Sequence, residues 1–336
     1  MNKELIFKGV GTALITPTNE NGIDYENLEK LIDFQIKAGI NALIIAGTTG
    51  EGSTFDDKEH KDLLKFAKEK INHRVPMVAG VGSNDTNYAC SLAKFACEIG
   101  VDGLLVVTPY YNKATQGGLY VHFKDTADAV NIPCILYNVP SRTGCNILPE
   151  TAVKLARDVK NIVAIKEATG NISQIAKLIQ LADGCIDVYS GNDDQIVPIM
   201  SLGGLGVISV LSNVAPKQTH DMCQACLDGD FKKAAKMQLE ALPLINSLFS
   251  EVNPIPVKKA LNLMGFEAGP LRKPLTEMEE AHTIILEENM KEYGIYLYYL
   301  VLIATINRNC TGTYHKGSVL ITIYRYTVWR IIVCWI

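Results

Sequence analysis

Eight short apolar runs recur along this chain, each followed by an amphipathic stretch, and that alternation limits the fold more than any other feature. The runs are Val10–Thr16, Ala42–Ala46, Met77–Val81, Gly103–Thr108, Cys134–Tyr137, Ile162–Lys166, Asp187–Ser190 and Gly206–Ser209. Near-continuous apolar runs of four to seven residues read as strands buried on both faces, as in a parallel sheet covered by helices. The intervening segments have helical spacing: within Tyr25–Ala38, Leu28, Leu31, Ile32 and Gln35 mark one face. Asp56-x-x-Glu59 and Thr276-x-x-Glu279 have the form of capping boxes, and Pro149 suits a first helical turn. Eight strand–helix units predict a closed (β/α)8 barrel, because an open doubly wound sheet rarely needs so many. After the eighth run the pattern is helical only, at about 216–228, 231–249, 255–264 and 277–293. The expected organisation is a catalytic barrel over residues 1–228 and a helical extension over 229–294.

The chain has 336 residues and a net charge of −4, which gives no basic surface for a nucleic-acid backbone. With 48% hydrophobic and 20% charged residues it is globular in composition. Nine scattered cysteines and a start without a secretory pattern predict reduced thiols and a cytoplasmic protein. The Cys223-x-x-Cys226 pair has no second pair, and the six histidines show no metal-ligand spacing. No metal site and no cofactor site are expected.

Reactive groups of such a barrel project from the carboxyl ends of its strands. The sixth run ends in Ile165-Lys-Glu-Ala168. A lysine there is buried, burial disfavours its charged form, and a neutral amine is what attacks a ketone to form a Schiff base. An ion pair with Glu167 is the competing reading of Lys166. The second run leads into Gly47-Thr-Thr-Gly-Glu51, where hydroxyls and backbone N–H groups can hold a small anion. Glu51 nearby would repel a phosphate dianion, so a carboxylate is the better guest; an ordinary glycine-rich turn is the alternative. The fourth and fifth runs end in Thr108-Pro-Tyr-Tyr-Asn112 and Tyr137-Asn-Val-Pro-Ser-Arg-Thr-Gly144. Their tyrosines either pack the barrel or relay protons, and Arg142 either clamps a carboxylate or is simply solvated.

Taken together, Gly47–Glu51, Tyr137–Gly144 and Ile165–Ala168 resemble the dihydrodipicolinate synthases, within the pyruvate-dependent class I aldolases and lyases. The resemblance spans about residues 5–293. It implies a Schiff base between a barrel lysine and pyruvate, whose enamine attacks L-aspartate 4-semialdehyde; the adduct closes to 4-hydroxy-tetrahydrodipicolinate, on the route to diaminopimelate and lysine. By the same resemblance Lys166 carries the imine, and Tyr137 and Thr48 relay protons. Tyr111 completes the relay from a neighbouring subunit, implying a homotetramer built from two dimers. Thr49, Gly191 and the backbone of Ile208 would hold pyruvate, and Arg142 the semialdehyde carboxylate. A sister enzyme such as N-acetylneuraminate lyase or a keto-deoxy-sugar-acid aldolase shares the lysine and Tyr137. It differs around Ser141–Gly144.

The resemblance also implies an effector cleft for lysine at a dimer interface, matched here by His60, Asn84 and Tyr110. Asp57 and Tyr88 depart from it, Tyr88 standing where a glutamate would hold the effector's amino group, so weak inhibition is expected. Residues 295–336 differ from the rest: they contain no Asp or Glu, four cations, both tryptophans and six of the fourteen tyrosines. With those four removed from the 32 Lys and Arg, the 36 acidic residues leave residues 1–294 at −8. The tail shows no period and no uncharged run long enough to span a bilayer. It reads as out-of-frame or non-coding sequence appended to a finished domain, with a membrane-surface anchor as the alternative and no membrane contact expected of the catalytic part.

Overall fold

The computed structural model describes residues 5–298, 320–322 and 332–334. Eight parallel strands close into a barrel: β1 (Gly9–Ala13), β2 (Ala42–Ile45), β3 (Met77–Gly80), β4 (Gly103–Val107), β5 (Cys134–Asn138), β6 (Ile162–Glu167), β7 (Asp187–Ser190) and β8 (Gly206–Ser209). Each coincides with one of the eight runs read from the sequence, to within a few residues at the ends. Closure brings β1 against β8, with Gly9 opposite Gly206. A Cβ on Gly206 would stand 1.8 Å from the Gly9 carbonyl oxygen, so this seam requires glycine.

Helices follow the strands in alternation: α1 (Tyr25–Lys37), α2 (Asp57–Ile71), α3 (Thr86–Glu98), α4 (Gln116–Asp128), α5 (Pro149–Asp158), α6 (Ile172–Ala182), α7 (Ile196–Ser201) and α8 (Pro216–Leu227). The α1 face marked by Leu28, Leu31, Ile32 and Gln35 is the buried one. Asp56 caps α2 by accepting from the Glu59 amide at 2.8 Å. Beyond α8 lie α9 (Phe231–Leu248), α10 (Ile255–Leu263) and α11 (Glu280–Glu292). The second capping box does not form. The last helix starts three residues later than Thr276 predicts, and the Glu279 amide donates instead to Glu251 Oε1 at 2.9 Å. A tertiary acceptor has displaced the local one. A hairpin of Thr18–Asn19 with Gly22–Ile23 was not legible from the sequence.

Met1–Ile295 form one compact unit and Tyr296–Ile336 a second. In the second, Leu320–Thr322 pair antiparallel with Ile332–Cys334. The reading of the tail as appended sequence otherwise falls outside the described residues. Among the described residues no helix is long and apolar enough to cross a membrane.

All six residues of β6 are buried, because the barrel interior covers one face and the helical layer the other. Lys166 and Glu167 therefore go to opposite sides. Glu167, 1% exposed, accepts from Asn138 Nδ2 at 2.8 Å and from the Thr169 hydroxyl at 2.9 Å, and is not the ion-pair partner of Lys166. Asn138 and Asn146 continue this network to Gln174 on α6. Burial raises the Glu167 carboxyl from 4.5 to about 6, against the pull of its hydrogen bonds. A carboxyl raised in the folded state stabilises the fold fully below its unfolded value, and loses that contribution as pH rises through about 6. Glu167→Gln keeps the acceptor for Asn138 and removes the ionisation. It is expected to equal the native protein near pH 4.5 and exceed it by about 1–2 kcal/mol at pH 7.5, measured by chemical denaturation at both values. An unchanged pH dependence in the variant would contradict this assignment.

Candidate active site

Lys166 lies near the carboxyl end of β6 with 5% of its surface exposed. It is in register with Tyr137 on β5, and its Nζ sits 4.3 Å from the centroid of the Tyr137 ring. The amine therefore lies over the face of the ring. On the other side stands Gly191, just after β7. A Cβ there would come 3.1 Å from Lys166 Cε and 2.7 Å from the Ala168 Cβ, so glycine leaves the lysine stem its space. Ile208 on β8 is fully buried in the same core cluster as Tyr137.

A cavity of about 270 Å³ is walled among others by Thr48, Tyr110, Tyr137, Arg142 and His60; Tyr137 is its link to Lys166, which, like Thr49, Gly191 and Ile208, is not among its walls. Thr48 is exposed, and Thr49 beside it is 3% exposed. Arg142 is exposed and belongs to a four-residue helical turn, Pro140–Thr143, that begins at a proline. Its Nη2 donates to the Asn253 carbonyl at 3.4 Å. A hydrogen bond of 3.1 Å from the Thr108 to the Thr143 hydroxyl ties the loops after β4 and β5 together. Tyr111 is not among the cavity walls of its own chain. It is 89% exposed and held at φ +72°, in the left-handed region that costs a bulky residue about 1–3 kcal/mol.

Of the three residues matched to an effector cleft, His60 and Tyr110 line this cavity and Asn84 does not. His60 is buried, with Nε2 2.9 Å from the Gly80 carbonyl, and burial holds its pKa below the usual value. The Asn84 carbonyl accepts from Asn112 Nδ2 at 2.9 Å. Tyr88 hydrogen-bonds to Asp57; burial, and then that carboxylate, raise the Tyr88 phenol. Asp57 is also paired with Lys61 at 2.7 Å.

Glu51 corrects an inference from the sequence. Its side chain is 1% exposed and paired at 2.8 Å with Lys258 of α10, itself 1% exposed. The ammonium also donates to the Thr18 hydroxyl at 3.2 Å and the Pro270 carbonyl at 2.8 Å, using all three protons. Glu51 Oε2 accepts from the Arg272 amide at 2.8 Å. The carboxylate is thus spent on the helical extension and does not screen the loop against phosphate. Burial lowers the Lys258 pKa, and the charge of Glu51 opposes that shift.

Sequence reasoning also missed Asp193, Lys258 and Asn253. Asp193 is 2% exposed, and its Oδ2 accepts from the amides of Val210 and Leu211 at 3.0 and 2.9 Å, fixing the exit of β8. Burial raises its carboxyl, while hydrogen bonds and the charge of Lys166 act to lower it. An acidic pair shortly after a strand, Asp193-Asp194 following Asp187–Ser190, was the available signal. For Lys258 it was a lysine on the apolar side of a short helix. Among the described residues no group of three His, Cys, Asp or Glu side chains could hold a metal ion. Cys223 and Cys226 are buried in α8.

Residues 6–293 match the model of the dihydrodipicolinate synthetase family. A protein of Lachnoclostridium phytofermentans named 4-hydroxy-tetrahydrodipicolinate synthase is 59% identical over 291 residues, 86% of this chain and 99% of that one. The crystal structure of dihydrodipicolinate synthase from Thermotoga maritima superposes with a TM-score of 0.85 at 44% identity, over 87% of this chain and all of that one. The Acinetobacter baumannii enzyme, solved in complex with pyruvate, gives 0.84 at 42% identity over 87% of this chain and all of that one. A lysine near the carboxyl end of a barrel strand, with Tyr137, Thr48 and Arg142 around one cavity, is thus set in a sequence matched over residues 6–293: the chain belongs to the dihydrodipicolinate synthetase family.

Proposed function

We propose that this protein condenses pyruvate with L-aspartate 4-semialdehyde to give 4-hydroxy-tetrahydrodipicolinate, the entry to diaminopimelate and lysine biosynthesis. The observation that carries the reading is Lys166, buried at the barrel rim, packed on the Tyr137 ring and given room by Gly191. The neutral amine of Lys166 attacks the pyruvate ketone, and water leaves as the imine forms. Loss of a proton from the methyl carbon gives the enamine, which attacks the semialdehyde carbon. The semialdehyde's own amine then displaces Lys166 and closes the ring. Tyr137 and Thr48 move the protons, and Thr49, Gly191 and the Ile208 backbone hold the pyruvate end. Arg142 holds the second carboxylate, and its tie to the Asn253 carbonyl supports a fixed fork. These steps are proton transfers, carbon–nitrogen exchange at the imine and one carbon–carbon bond formation by the enamine, with side chains supplying the amine and the proton carriers.

Tyr111 is the third relay member, acting in a partner's site. An aromatic ring 89% exposed on a strained backbone has the form of a group built to enter another subunit. The working assembly in this reading is a cytoplasmic homotetramer of two dimers. Residues 1–228 and 229–294 work as one catalytic unit, and residues 295–336 take no part in it.

His60, Asn84 and Tyr110 form the effector cleft in this reading, and its charge partner for an amino acid's ammonium is missing. Asp57, the nearest acid, is engaged by both Tyr88 and Lys61. Titration of activity with lysine is expected to leave turnover nearly unchanged at micromolar concentrations. Strong inhibition there would show that Asp57 leaves these partners for the ligand.

Borohydride treatment in the presence of pyruvate is expected to add a pyruvyl mass to the native chain and none to Lys166→Ala. An adduct that persists in the variant would remove the lysine assignment. Assays of pyruvate with aspartate semialdehyde, run beside pyruvate with N-acetylmannosamine, separate the proposed activity from that of a sugar-acid lyase. Arg142→Ala is expected to raise the KM for the semialdehyde about ten- to a hundred-fold and to spare pyruvate, since a lost charged clamp costs about 1.5–3 kcal/mol. Equal damage to both substrates would make the arginine structural.

A further inference from the structure

Asn253 sits between α9 and α10, far along the chain from the barrel strands, yet reaches two groups of the site at once. It is 5% exposed. Its Nδ2 donates to the Thr49 hydroxyl at 3.0 Å, and its backbone carbonyl accepts from Arg142 at 3.4 Å. Among the described residues its Oδ1 is buried with no hydrogen-bond partner, so the amide's one side-chain hydrogen bond is the one to Thr49.

A threonine hydroxyl has one proton to give and lone pairs to receive. The Asn253 amide occupies a lone pair of Thr49 Oγ1, which settles the direction of that bond. Thr49 is 3% exposed, and among the described residues no protein acceptor takes its proton. A buried hydroxyl polarised in this way offers a donor to an incoming oxygen anion. We propose that Asn253 is a positioning residue that fixes the polarity of Thr49, keeping its proton for the carboxylate of the 2-oxo acid. Its backbone carbonyl separately anchors Arg142 for the second carboxylate. The inference rests on the reading of the site as a pyruvate Schiff-base centre.

The two functions of Asn253 separate by mutation, since replacing the side chain leaves the backbone carbonyl in place. In steady-state kinetics of the full chain, Asn253→Ala is expected to raise the pyruvate KM about tenfold, the usual effect of one lost hydrogen bond of this kind. The semialdehyde KM and kcat should stay within about twofold. Asn253→Asp keeps the shape but can only accept, so it takes the Thr49 proton and should raise the pyruvate KM further. It also serves if the alanine variant does not fold. The decisive comparison is a double-mutant cycle with Thr49→Val. Once the hydroxyl is gone, changing Asn253 to alanine should add little to the pyruvate KM. Additive effects, or equal increases for both substrates, would overturn the proposal and leave Asn253 structural. Borohydride trapping on the native chain separates the two levels of inference. No pyruvyl adduct there would sink the Schiff-base reading and this proposal with it. A native adduct with variants that saturate at the native pyruvate concentration would sink the proposal alone.

Discussion

The contact on which the site depends most is the buried ion pair of Glu51 and Lys258. Taking a carboxylate and an ammonium out of water costs several kcal/mol for each ion, and Coulomb attraction offsets this only when the remaining hydrogen-bonding capacity is also filled. Here it is filled: the ammonium gives all three protons to Glu51, Thr18 and Pro270, and the carboxylate takes the Arg272 amide on its second oxygen. A hydrophobic pair of the same volume could stabilise the barrel as well. What it could not do is fix direction. The pair joins the loop after β2 to α10, and it holds Glu51 at φ +56°, in the left-handed region. Thr48 and Thr49 are therefore placed by a contact with a segment two hundred residues away.

A consequence is that the helical extension belongs to the site. Asn253 precedes α10, Lys258 lies on it, and Arg272 follows it with a bidentate hold on Glu59 of α2 at 2.8 and 2.9 Å. Three successive points of the extension thus grip the β2–α2 connection. The barrel alone would leave the Gly47–Glu51 loop with its carboxylate unpaired and its threonine unpolarised. Met1–Ile295 form one compact unit, and the hydrogen bonds of the Gly47–Glu51 loop run across residue 228.

Much of the fold was legible because buried parallel strands and amphipathic helices each carry a local pattern. All eight strands and the α1 face followed from that periodicity, as did the Asp56 cap. What failed was tertiary in origin. Thr276 looked like a cap, but Glu251 supplied a better acceptor for Glu279 from another part of the chain. Glu51 looked like a guard against phosphate, but its partner lies 207 residues on, where no spacing rule reaches. In the site, Lys166, Tyr137 and Arg142 stood out because they interrupt apolar runs or punctuate loops at strand ends. Asn253 did not, because a lone asparagine before a proline reads as an ordinary turn residue. Asp193 was hidden in the same way within an acidic turn.

Charge gives a reason for how the site must work. Residues 1–294 carry −8, and both substrates in the proposed reaction are carboxylates, so the long-range field of the chain opposes their approach. At physiological ionic strength that field fades beyond about 8 Å, and cations at the mouth decide the encounter. Arg142 is exposed and, in the proposed reading, meets the anion, while Lys166 is 5% exposed. An ammonium at that depth would hold a carboxylate well but could not attack a ketone. In the proposed reading the two tasks are divided: Arg142 and Thr49 hold the carboxylates, and Lys166 forms the imine. Asp193 is close enough to sense the lysine's charge, and its Oδ2 accepts the two amides at the exit of β8.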